Sequence, residues 1–557
     1  MDRPKYIDSM MQLINDGSKF RRITDPIDSF CRSVEDKINK FLLKLKKQDV
    51  LSDDQYKRLH VTGSGPGILY GQPKIHKRDF CTKFQCRPIL AAYNLASYKI
   101  AKFIVPLLSN LTTNQYTILN STEFSSKISS IPNADKLYMT SLDIESLFTN
   151  IPLHETIEIC ITKLFPNPTT MFHGFSKLLF KTLLEHSVLN SFFIFDNNYY
   201  QQTEGMGMGS PLGPTFANIF MCHFETIWLN NCPSQFKPVH YFRYLDDTFV
   251  LFKDQTHSDL FHNYLNNQHS SIKFTIETEN NNSLPFLDVT VERHSTYFST
   301  SVFRKASFSG LGTSFFSYCC KMFKTNGILT LLHRAYNVCS SPSSFREEVS
   351  FLRSFFYNNG FPHQVFNSQL ERFLSSKLDF QLAFSTVPKK TVYFVIPYFG
   401  HKSVLFTKHL SKLISEHFTH LDPKIILLNN YTINNIFMYK DTLPKLLRSS
   451  LVYLYSCPQN CGSAYVGSTL RTLHTRISEH KGSSCRTGRP LASPPQSAIR
   501  HHSEQCNGGG PVPTGNFDIL ASVKNSIDLR IVESLYIHKK KPNLNETASA
   551  FPLRIIG

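Results

Sequence analysis

Short β-like apolar runs alternate with longer helical stripes along this chain, and acidic residues interrupt the β-like runs at two points. The run Tyr241–Phe252, YFRYLDDTFVLF, is apolar on both sides of Asp246 and Asp247. Aromatic and β-branched residues favour strands, so this pattern predicts a hairpin whose turn carries the two carboxylates. A second β-like run, Leu137–Leu153, places Asp143 at the end of its apolar part.

The acidic positions of the two runs suggest a metal site. Adjacent carboxylates repel each other and are costly to bury unless a cation neutralises them. A solvated acidic turn is the simpler interpretation of Asp246 and Asp247 taken alone. The second acidic strand favours an interpretation in which Asp143 lies beside Asp246 and the site holds two Mg²⁺ (or Mn²⁺) ions. Such a pair of ions stabilises the attacking and leaving oxygens in phosphoryl transfer.

The same patterning divides the chain into regions of different character. Residues 1–66 predict helices, with apolar residues at helical spacing in the stripe Val34, Ile38, Phe41, Leu42 and Leu45. The Gly-rich breaker GSGPG then leads into a strand-rich region, 67–309. Residues 310–390 are helical in pattern, residues 391–448 have a βαβ-type order, and residues 449–557 begin with two short strands and a helix. We therefore predict an α+β protein with several domains.

Composition adds partners and a compartment to this picture. The 557 residues carry a net charge of +18, which favours a polyanionic partner over mere solubility. Thirteen cysteines form no regular framework, and the N-terminus lacks the apolar core of a signal peptide. No apolar run reaches membrane length. We therefore expect no membrane association and a reducing, intracellular compartment.

Cysteine and histidine pairs near the C-terminus predict a second kind of metal site. Cys457 and Cys461 are separated by three residues, as are His502 and Cys506. Four thiolate and imidazole ligands in short pairs can close a tetrahedral structural Zn²⁺ site. His501 could replace His502, and Cys485 is a spare thiol. Unrelated buried thiols are the alternative interpretation of these cysteines.

Four segments in combination resemble the reverse transcriptase of Penelope-like retroelements: the YLDD hairpin, SLDIESLFTNIPL, GMGMGSPLGPTFANI, and YGQPKIHK followed by CRPIL. The C-terminal part resembles the GIY-YIG endonuclease of the same elements, and the resemblance runs from Tyr70 to Asn545. It implies a right-hand polymerase with fingers and palm in 67–309 and a helical thumb in 310–390. A connector module, 391–448, and a small α/β GIY-YIG nuclease domain, 449–557, follow.

The resemblance implies roles for residues of the polymerase. Asp143 and Asp246 would hold the metals and Asp247 would support the site. An aromatic residue five positions after the first aspartate, Phe148, would exclude a 2′-hydroxyl. Further contacts with the template and the incoming nucleotide would come from a basic segment and a Gly-rich loop, namely Lys74, Arg87, Gly209, Pro211 and Gly213. Leu212 stands where many reverse transcriptases have Gln, a departure that fits Penelope-like elements.

The nuclease resemblance likewise assigns residues. Tyr453 and Tyr465 match the two tyrosines of the motif, whereas Leu451 replaces its first glycine. Arg476 and His480 share one helix face at a spacing of four. In the family the glutamate binds a divalent metal, the arginine steadies the scissile phosphate, and a tyrosine or histidine helps to activate water. The matching residues after the helix are Glu533, as the Mg²⁺ ligand, and Asn545. The endonucleases of these elements also carry inserted Cys/His pairs.

The resemblance predicts RNA-templated DNA synthesis, primed from a nick that the nuclease itself makes. Expected partners are template RNA, target DNA as primer, and deoxynucleoside triphosphates, in the nucleus after synthesis in the cytoplasm. No feature of the sequence sets an oligomeric state. Two alternatives remain, a nuclease-only remnant with a dead polymerase and a catalytically silent nucleic-acid-binding protein. The retained aspartates argue against the first alternative. Together with Tyr453, Arg476 and Glu533 they also argue against the second.

Overall fold

The computed structural model describes residues 2–75, 84–378, 390–429, 441–459, 461–506, 512–523 and 525–545. This part of the chain mixes helices and sheets, as expected for an α+β protein. No helix within these ranges is long and apolar enough to cross a membrane.

The N-terminal part builds a five-stranded sheet flanked by helices. Its elements in chain order are α1 (Arg3–Ile14), β1 (Phe20–Arg22), α2 (Ile27–Lys47), α3 (Asp53–Leu59), β2 (Gly67–Pro73), β3 (Cys86–Ala91), α4 (Tyr98–Leu107) and α5 (Ser121–Ser129). Val34, Ile38, Leu42 and Leu45 on α2 are buried, which confirms the predicted apolar stripe. The segment 1–66 is not purely helical, however, because β1 joins this sheet.

The next elements complete the five-stranded sheet and form a four-stranded one. They are β4 (Tyr138–Ile144), α6 (Leu147–Asn150), α7 (Leu153–Leu164), α8 (Lys177–Val188), β5 (Ser191–Phe195), β6 (Asn198–Gln202), α9 (Gly213–Asn231), β7 (His240–Tyr244), β8 (Asp247–Phe252), α10 (Gln255–Asn266) and β9 (Phe274–Thr278). The five-stranded sheet has the order β1-β6-β5-β2-β3, and the four-stranded sheet has the order β7-β8-β4-β9.

Both faces of the four-stranded sheet are buried, and this burial fixes its strand register. Leu142 and Val250 belong to a core shared with the helices. Met139 and Leu251 belong to a second core formed with α5 and three following strands. These strands are β10 (Ser283–Phe286), β11 (Val289–Arg293) and β12 (Phe298–Val302). A slip of one residue would exchange the two faces, so the two cores hold the carboxylate-bearing ends of β4 and β8 in place.

Three helices follow and pack around their own core: α11 (Lys321–Val338), α12 (Pro342–Asn358) and α13 (His363–Leu378). Next come β13 (Lys390–Pro397), α14 (His401–His417) and β14 (Leu421–Leu428), with the two strands parallel, which confirms the predicted βαβ order.

The C-terminal part is a small three-stranded sheet with helices. Its elements are β15 (Leu451–Ser456), β16 (Ala464–Thr469), α15 (Leu473–Lys481), α16 (Ala498–Cys506), β17 (Phe517–Ser522) and α17 (Ser526–Lys540), and the strand order is β16-β15-β17. Helix α2 contacts this unit, because Asp36 pairs with Arg486 and Asp28 lies 3.1 Å from the ring of His474.

Candidate functional site

The predicted carboxylate hairpin is present. Strands β7 and β8 pair antiparallel, with Tyr244 opposite Asp247, so Leu245 and Asp246 form a two-residue turn. Leu245 has a φ of 54°, in the left-handed region. Strand β4 pairs with β8 so that Asp143 lies directly across from Asp247. The sequence placed Asp143 beside Asp246, whereas the register gives its cross-strand partner as Asp247.

Asp246 reaches the same place from the turn, because its backbone carbonyl accepts a hydrogen bond of 3.1 Å from the amide of Ile144. Burial, and then the neighbouring charges of Asp246 and Asp143, raise the pKa of Asp247 to about 6. Burial also raises the pKa of Asp246, against an opposing effect of Arg87. Two carboxylates whose charges raise the pKa of a third form, together with it, a donor set that suits divalent cations with oxygen ligands.

Two cavities flank this acidic centre. Asp143, Asp247 and Lys305 line one of about 720 Å³. Lys74 and Arg87 line another of about 330 Å³, which helix α1 also walls. The two basic residues therefore share one cavity, and their contacts with template and incoming nucleotide stay a prediction. His76 and Lys77, the other basic residues at the end of the segment YGQPKIHK, lie outside the described residues.

The Gly-rich loop packs against strand β3. Gly209 has a φ of 122°, and an added Cβ would lie 2.1 Å from the carbonyl oxygen of Leu90. An added Cβ at Gly213 would lie 3.5 Å from the ring of Phe148. Pro211 lines a small cavity between the loop and helix α4. The close approach to Leu90 gives Gly209 a packing reason, whereas a Cβ at Gly213 would make only ordinary contacts. Contacts of these residues with nucleotide or template stay a prediction.

Two basic residues that follow β12 have acidic partners. Arg304 pairs with Glu348, and its guanidinium lies 3.6 Å from the ring centroid of Phe351. Arg334 pairs with Asp288 at 2.7 Å. Lys305, which lines the cavity beside the carboxylates, is therefore the better candidate for a contact with a nucleic-acid backbone.

Sequence reasoning missed a buried ion pair beneath the carboxylate turn. Arg243 on β7 and Glu225 on α9 are joined at 2.6 Å, with side chains that are 0% and 1% exposed. The signal available in the sequence was an arginine inside the otherwise apolar run YFRYL.

In the C-terminal unit, a buried tyrosine joins the predicted arginine and histidine. The hydroxyl of Tyr453 lies 2.7 Å from Nε2 of His480 and accepts a hydrogen bond of 3.1 Å from Nε of Arg476. Nδ1 of His480 lies 2.7 Å from the hydroxyl of Ser497. Burial, and then the charges of Arg476 and Arg500, lower the pKa of His480 to about 3. The imidazole is therefore neutral at physiological pH and can accept a hydrogen bond from the tyrosine hydroxyl.

The other predicted nuclease residues surround this cluster. The carboxylate of Glu533 accepts a hydrogen bond of 2.8 Å from Ser468, and burial raises its pKa. The ring centroid of Tyr465 lies 5.8 Å from that of His480. An added Cβ at Gly467 would lie 2.6 Å from the Tyr453 hydroxyl, so only glycine fits there.

Asn545 contacts backbone in this structure. Its side-chain oxygen accepts from the amide of Val466 at 2.9 Å, and its side-chain nitrogen donates to the carbonyl of the same residue at 2.8 Å. The residue thus pairs with β16 as an added strand would, and its catalytic role stays a prediction.

The four predicted Cys/His ligands come together. Ligand atoms of Cys457, Cys461, His502 and Cys506 all lie within 4.8 Å of one another. Hydrogen bonds from Ser463 are the main cause that lowers the pKa of the Cys461 thiol to about 6, which favours the thiolate that metals bind. His501 is exposed and, like Cys485, lies outside this cluster.

Comparison with known proteins bears on the first site. Residues 75–279 match the family described as reverse transcriptase (RNA-dependent DNA polymerase), and residues 313–371 match the family described as animal helix-turn-helix domain. No curated protein matches the chain.

Among solved structures, the chain is similar to telomerase from Candida albicans in complex with a TWJ fragment of telomeric RNA. The identity is 11%, the TM-score is 0.43, and the match covers 68% of this chain and 66% of that one. Truncated apo telomerase from Candida tropicalis is 10% identical with a TM-score of 0.36, and the match covers 52% of this chain and 58% of that one. The Sicinivirus 3Dpol RNA-dependent RNA polymerase is 14% identical with a TM-score of 0.34, and the match covers 54% of this chain and 64% of that one. The chain spans less than two thirds of each of these structures.

The family match covers both strands that carry the carboxylates, β4 and β8, and the sheet that pairs them. Residues 75–279 are therefore a reverse transcriptase domain, and the mixed helices and sheets around it fit a right-hand polymerase fold.

Proposed function

We propose that this chain is the RNA-directed DNA polymerase of a Penelope-like retroelement, coupled to a GIY-YIG endonuclease, and that it acts in target-primed retrotransposition. The observation that carries the proposal is the pairing of Asp143 with Asp247 beside the Asp246 turn, between two cavities that each contain basic residues.

In this proposal the two cavities have different ligands. Lys305 lines the cavity on the Asp143 side and would contact the backbone of the primer. Lys74 and Arg87 line the other cavity and would hold the triphosphate of a deoxynucleotide, since arginine grips phosphate oxygens in a bidentate manner. Mg²⁺ ions held by Asp143 and Asp246 would supply positive charge at the attacking and leaving oxygens. The three carboxylates would together hold these ions.

The nuclease would make the primer. Arg476 would carry the positive charge for the scissile phosphate, and Tyr453, which lies 2.7 Å from His480, would orient the attacking water. Glu533 would hold a divalent metal. The product of such a nick is a free 3′-hydroxyl, which is the group that the polymerase extends.

Charge and the remaining regions agree with nucleic-acid partners. The net charge of +18 suits template RNA and target DNA. Helices α11 to α13, which overlap the match to an animal helix-turn-helix domain, would track the duplex as a thumb. Work on chromosomal DNA implies a nuclear location.

A structural Zn²⁺ ion is the proposed occupant of the Cys457, Cys461, His502 and Cys506 cluster. Three thiolates and one imidazole are a ligand set that zinc prefers in closed structural sites. The ion would tie the loop between β15 and β16 to the end of α16.

One pair of assays tests the proposal. Purified full-length protein is given a DNA primer on an RNA template with deoxynucleotides, and separately a supercoiled plasmid. We expect primer extension and plasmid nicking, both dependent on a divalent metal. Nicking without extension would indicate a nuclease-only remnant. Tight binding without either activity would indicate a silent nucleic-acid-binding protein.

A further inference from the structure

The ion pair between Arg243 and Glu225 is fully buried and makes two contacts. Nε of Arg243 donates to Oε2 of Glu225 at 2.6 Å, and Nη2 donates to Oε1 at 3.1 Å. The side-chain nitrogen of Asn114 donates to the same carboxylate at 2.6 Å, which satisfies a further lone pair. The guanidinium therefore has a fixed orientation relative to helix α9.

The remaining donor of Arg243 reaches the catalytic turn. Its Nη1 donates to the side-chain oxygen of Asn218 at 2.8 Å and to the backbone carbonyl of Leu245 at 3.2 Å. Leu245 is the left-handed residue of the two-residue turn and directly precedes Asp246. The side chain of one strand residue thus connects a rigid helix to the backbone that carries the carboxylates.

Stability alone does not account for this arrangement. Taking two charges out of water costs about as much as their attraction returns, and apolar replacements of similar volume are often as stable. A planar arginine, by contrast, can hold three acceptors in a set geometry, which an apolar residue or lysine cannot do. The backbone of Arg243 is held as well, because its amide donates to the carbonyl of Tyr116 and its carbonyl accepts from Ile118, both at 2.8 Å.

We propose that Arg243, held by Glu225 and Asn218, is a positioning residue that sets the conformation of the Leu245–Asp246 turn and thereby the metal affinity of the carboxylates. This inference rests on the proposed polymerase function, and it concerns a residue that touches neither nucleotide nor primer. Partners that orient metal ligands typically affect metal affinity or activity by about 10- to 100-fold.

The test separates positioning from folding. In the double variant Arg243→Met/Glu225→Leu both buried charges are removed together, so we expect a folded protein with a Tm close to that of the wild type. Because the Leu245 carbonyl has lost its donor, the Mg²⁺ concentration for half-maximal primer extension should rise by about tenfold or more. Arg243→Lys keeps the positive charge but loses the planar guanidinium with its several donors. It should therefore also raise the Mg²⁺ concentration needed for half-maximal extension.

A matched control is the pair Arg293 and Glu279, which also joins an arginine to a largely buried carboxylate. Arg293→Met/Glu279→Leu should leave the Mg²⁺ requirement unchanged, whatever its effect on Tm. A wild-type Mg²⁺ requirement in both Arg243 variants would overturn the proposal, as would an equal rise in the control.

A measurement without catalysis distinguishes this inference from the proposed function. Mn²⁺ binding to the nucleic-acid-free protein is followed by electron paramagnetic resonance, with Asp246→Asn as the reference for loss of the site. If the wild type binds Mn²⁺ but extends no primer, the polymerase function fails, and weaker Mn²⁺ binding by Arg243→Lys still supports the positioning role. If the wild type shows no binding that depends on Asp246, both fail.

Discussion

Asp143 and Asp247 lie directly across from each other in adjacent antiparallel strands, and the turn between β7 and β8 adds Asp246 to the same acidic centre. Two strands from distant parts of the chain thus supply one site. Since both faces of the sheet are buried, the pairing is not free to slip.

The first prediction concerns the turn. Asp246→Asn removes one charged ligand and should abolish primer extension, with a loss of at least about a hundredfold, because the remaining carboxylates hold the metals less well. Plasmid nicking by the same preparation should persist, because the nuclease cluster shares no residue with the turn. Near-normal extension by the variant would remove Asp246 from the site.

The second prediction concerns sugar selection. Phe148→Ala should admit ribonucleotides that the parent rejects, because the ring would otherwise occupy the space of a 2′-hydroxyl. The readout is the ratio of ribonucleotide to deoxynucleotide incorporation. Phe172 is a partly buried ring on the same core, and Phe172→Ala should leave the ratio unchanged. If both variants keep the parental ratio, Phe148 serves packing alone.

The hairpin, the acidic strand and the βαβ order could be predicted because each depends on a local pattern of apolar and polar residues. The cross-strand partner of Asp143 could not be predicted, since the strand register depends on which faces of β4, β8 and β9 become buried together. The strand β1 was missed for a related reason. It is only Phe20–Arg22, mostly polar, and it is a strand because β6 offers it a free edge.

In the C-terminal unit, helical spacing correctly brought Arg476 and His480 onto one face, and both contact Tyr453. Spacing could not show that Asn545 pairs with the backbone of Val466, because that contact arises only when the segment after α17 returns to β16. The arginine inside the apolar run YFRYL hinted at a buried charge, but its partner Glu225 could not be predicted, since that contact depends on how α9 packs beneath the hairpin.

The third prediction concerns pH. Burial lowers the pKa of His480 to about 3, below its ordinary value of 6.5, so the folded state binds fewer protons than the unfolded state. The stabilisation is present above pH 6.5 and is lost as pH falls, by about 2 kcal/mol between pH 6.5 and 5. His480→Gln cannot titrate, and its Tm should fall less over this range. Parallel Tm curves for the two proteins would contradict the buried neutral imidazole.

The fourth prediction concerns the nuclease. Arg476→Ala should reduce nicking by at least about a hundredfold, because the charge that stabilises the phosphate is lost. Extension of a supplied primer should be spared. Arg471 shares the partner Glu479 with Arg476 but makes no contact with Tyr453 among the hydrogen bonds described, so Arg471→Ala is the matched control and should still nick.

Glu533→Ala tests the same active site from the metal side. It should block nicking and leave extension intact, because the polymerase carboxylates are separate. Persistent nicking by either Arg476→Ala or Glu533→Ala would show that the assigned role is wrong.

The last prediction concerns zinc. Cys457, Cys461, His502 and Cys506 should bind one Zn²⁺ per chain, because their ligand atoms already lie within 4.8 Å of one another. The C-terminal unit has a modest core, so metal binding would contribute directly to its folding stability. His502→Ala and Cys461→Ser in the full-length protein should therefore lower zinc content and the Tm of this unit together.

The neighbouring residues provide close controls for that experiment. His501 precedes His502 on the same helix but is exposed and outside the cluster, and Cys485 is a thiol outside it. His501→Ala and Cys485→Ser should thus keep full zinc occupancy by elemental analysis, and primer extension should survive in all four variants because the polymerase has its own core. Well under one zinc per folded wild-type chain, or an equal loss of zinc in the His501 and His502 variants, would show that these cysteines are ordinary thiols and not zinc ligands.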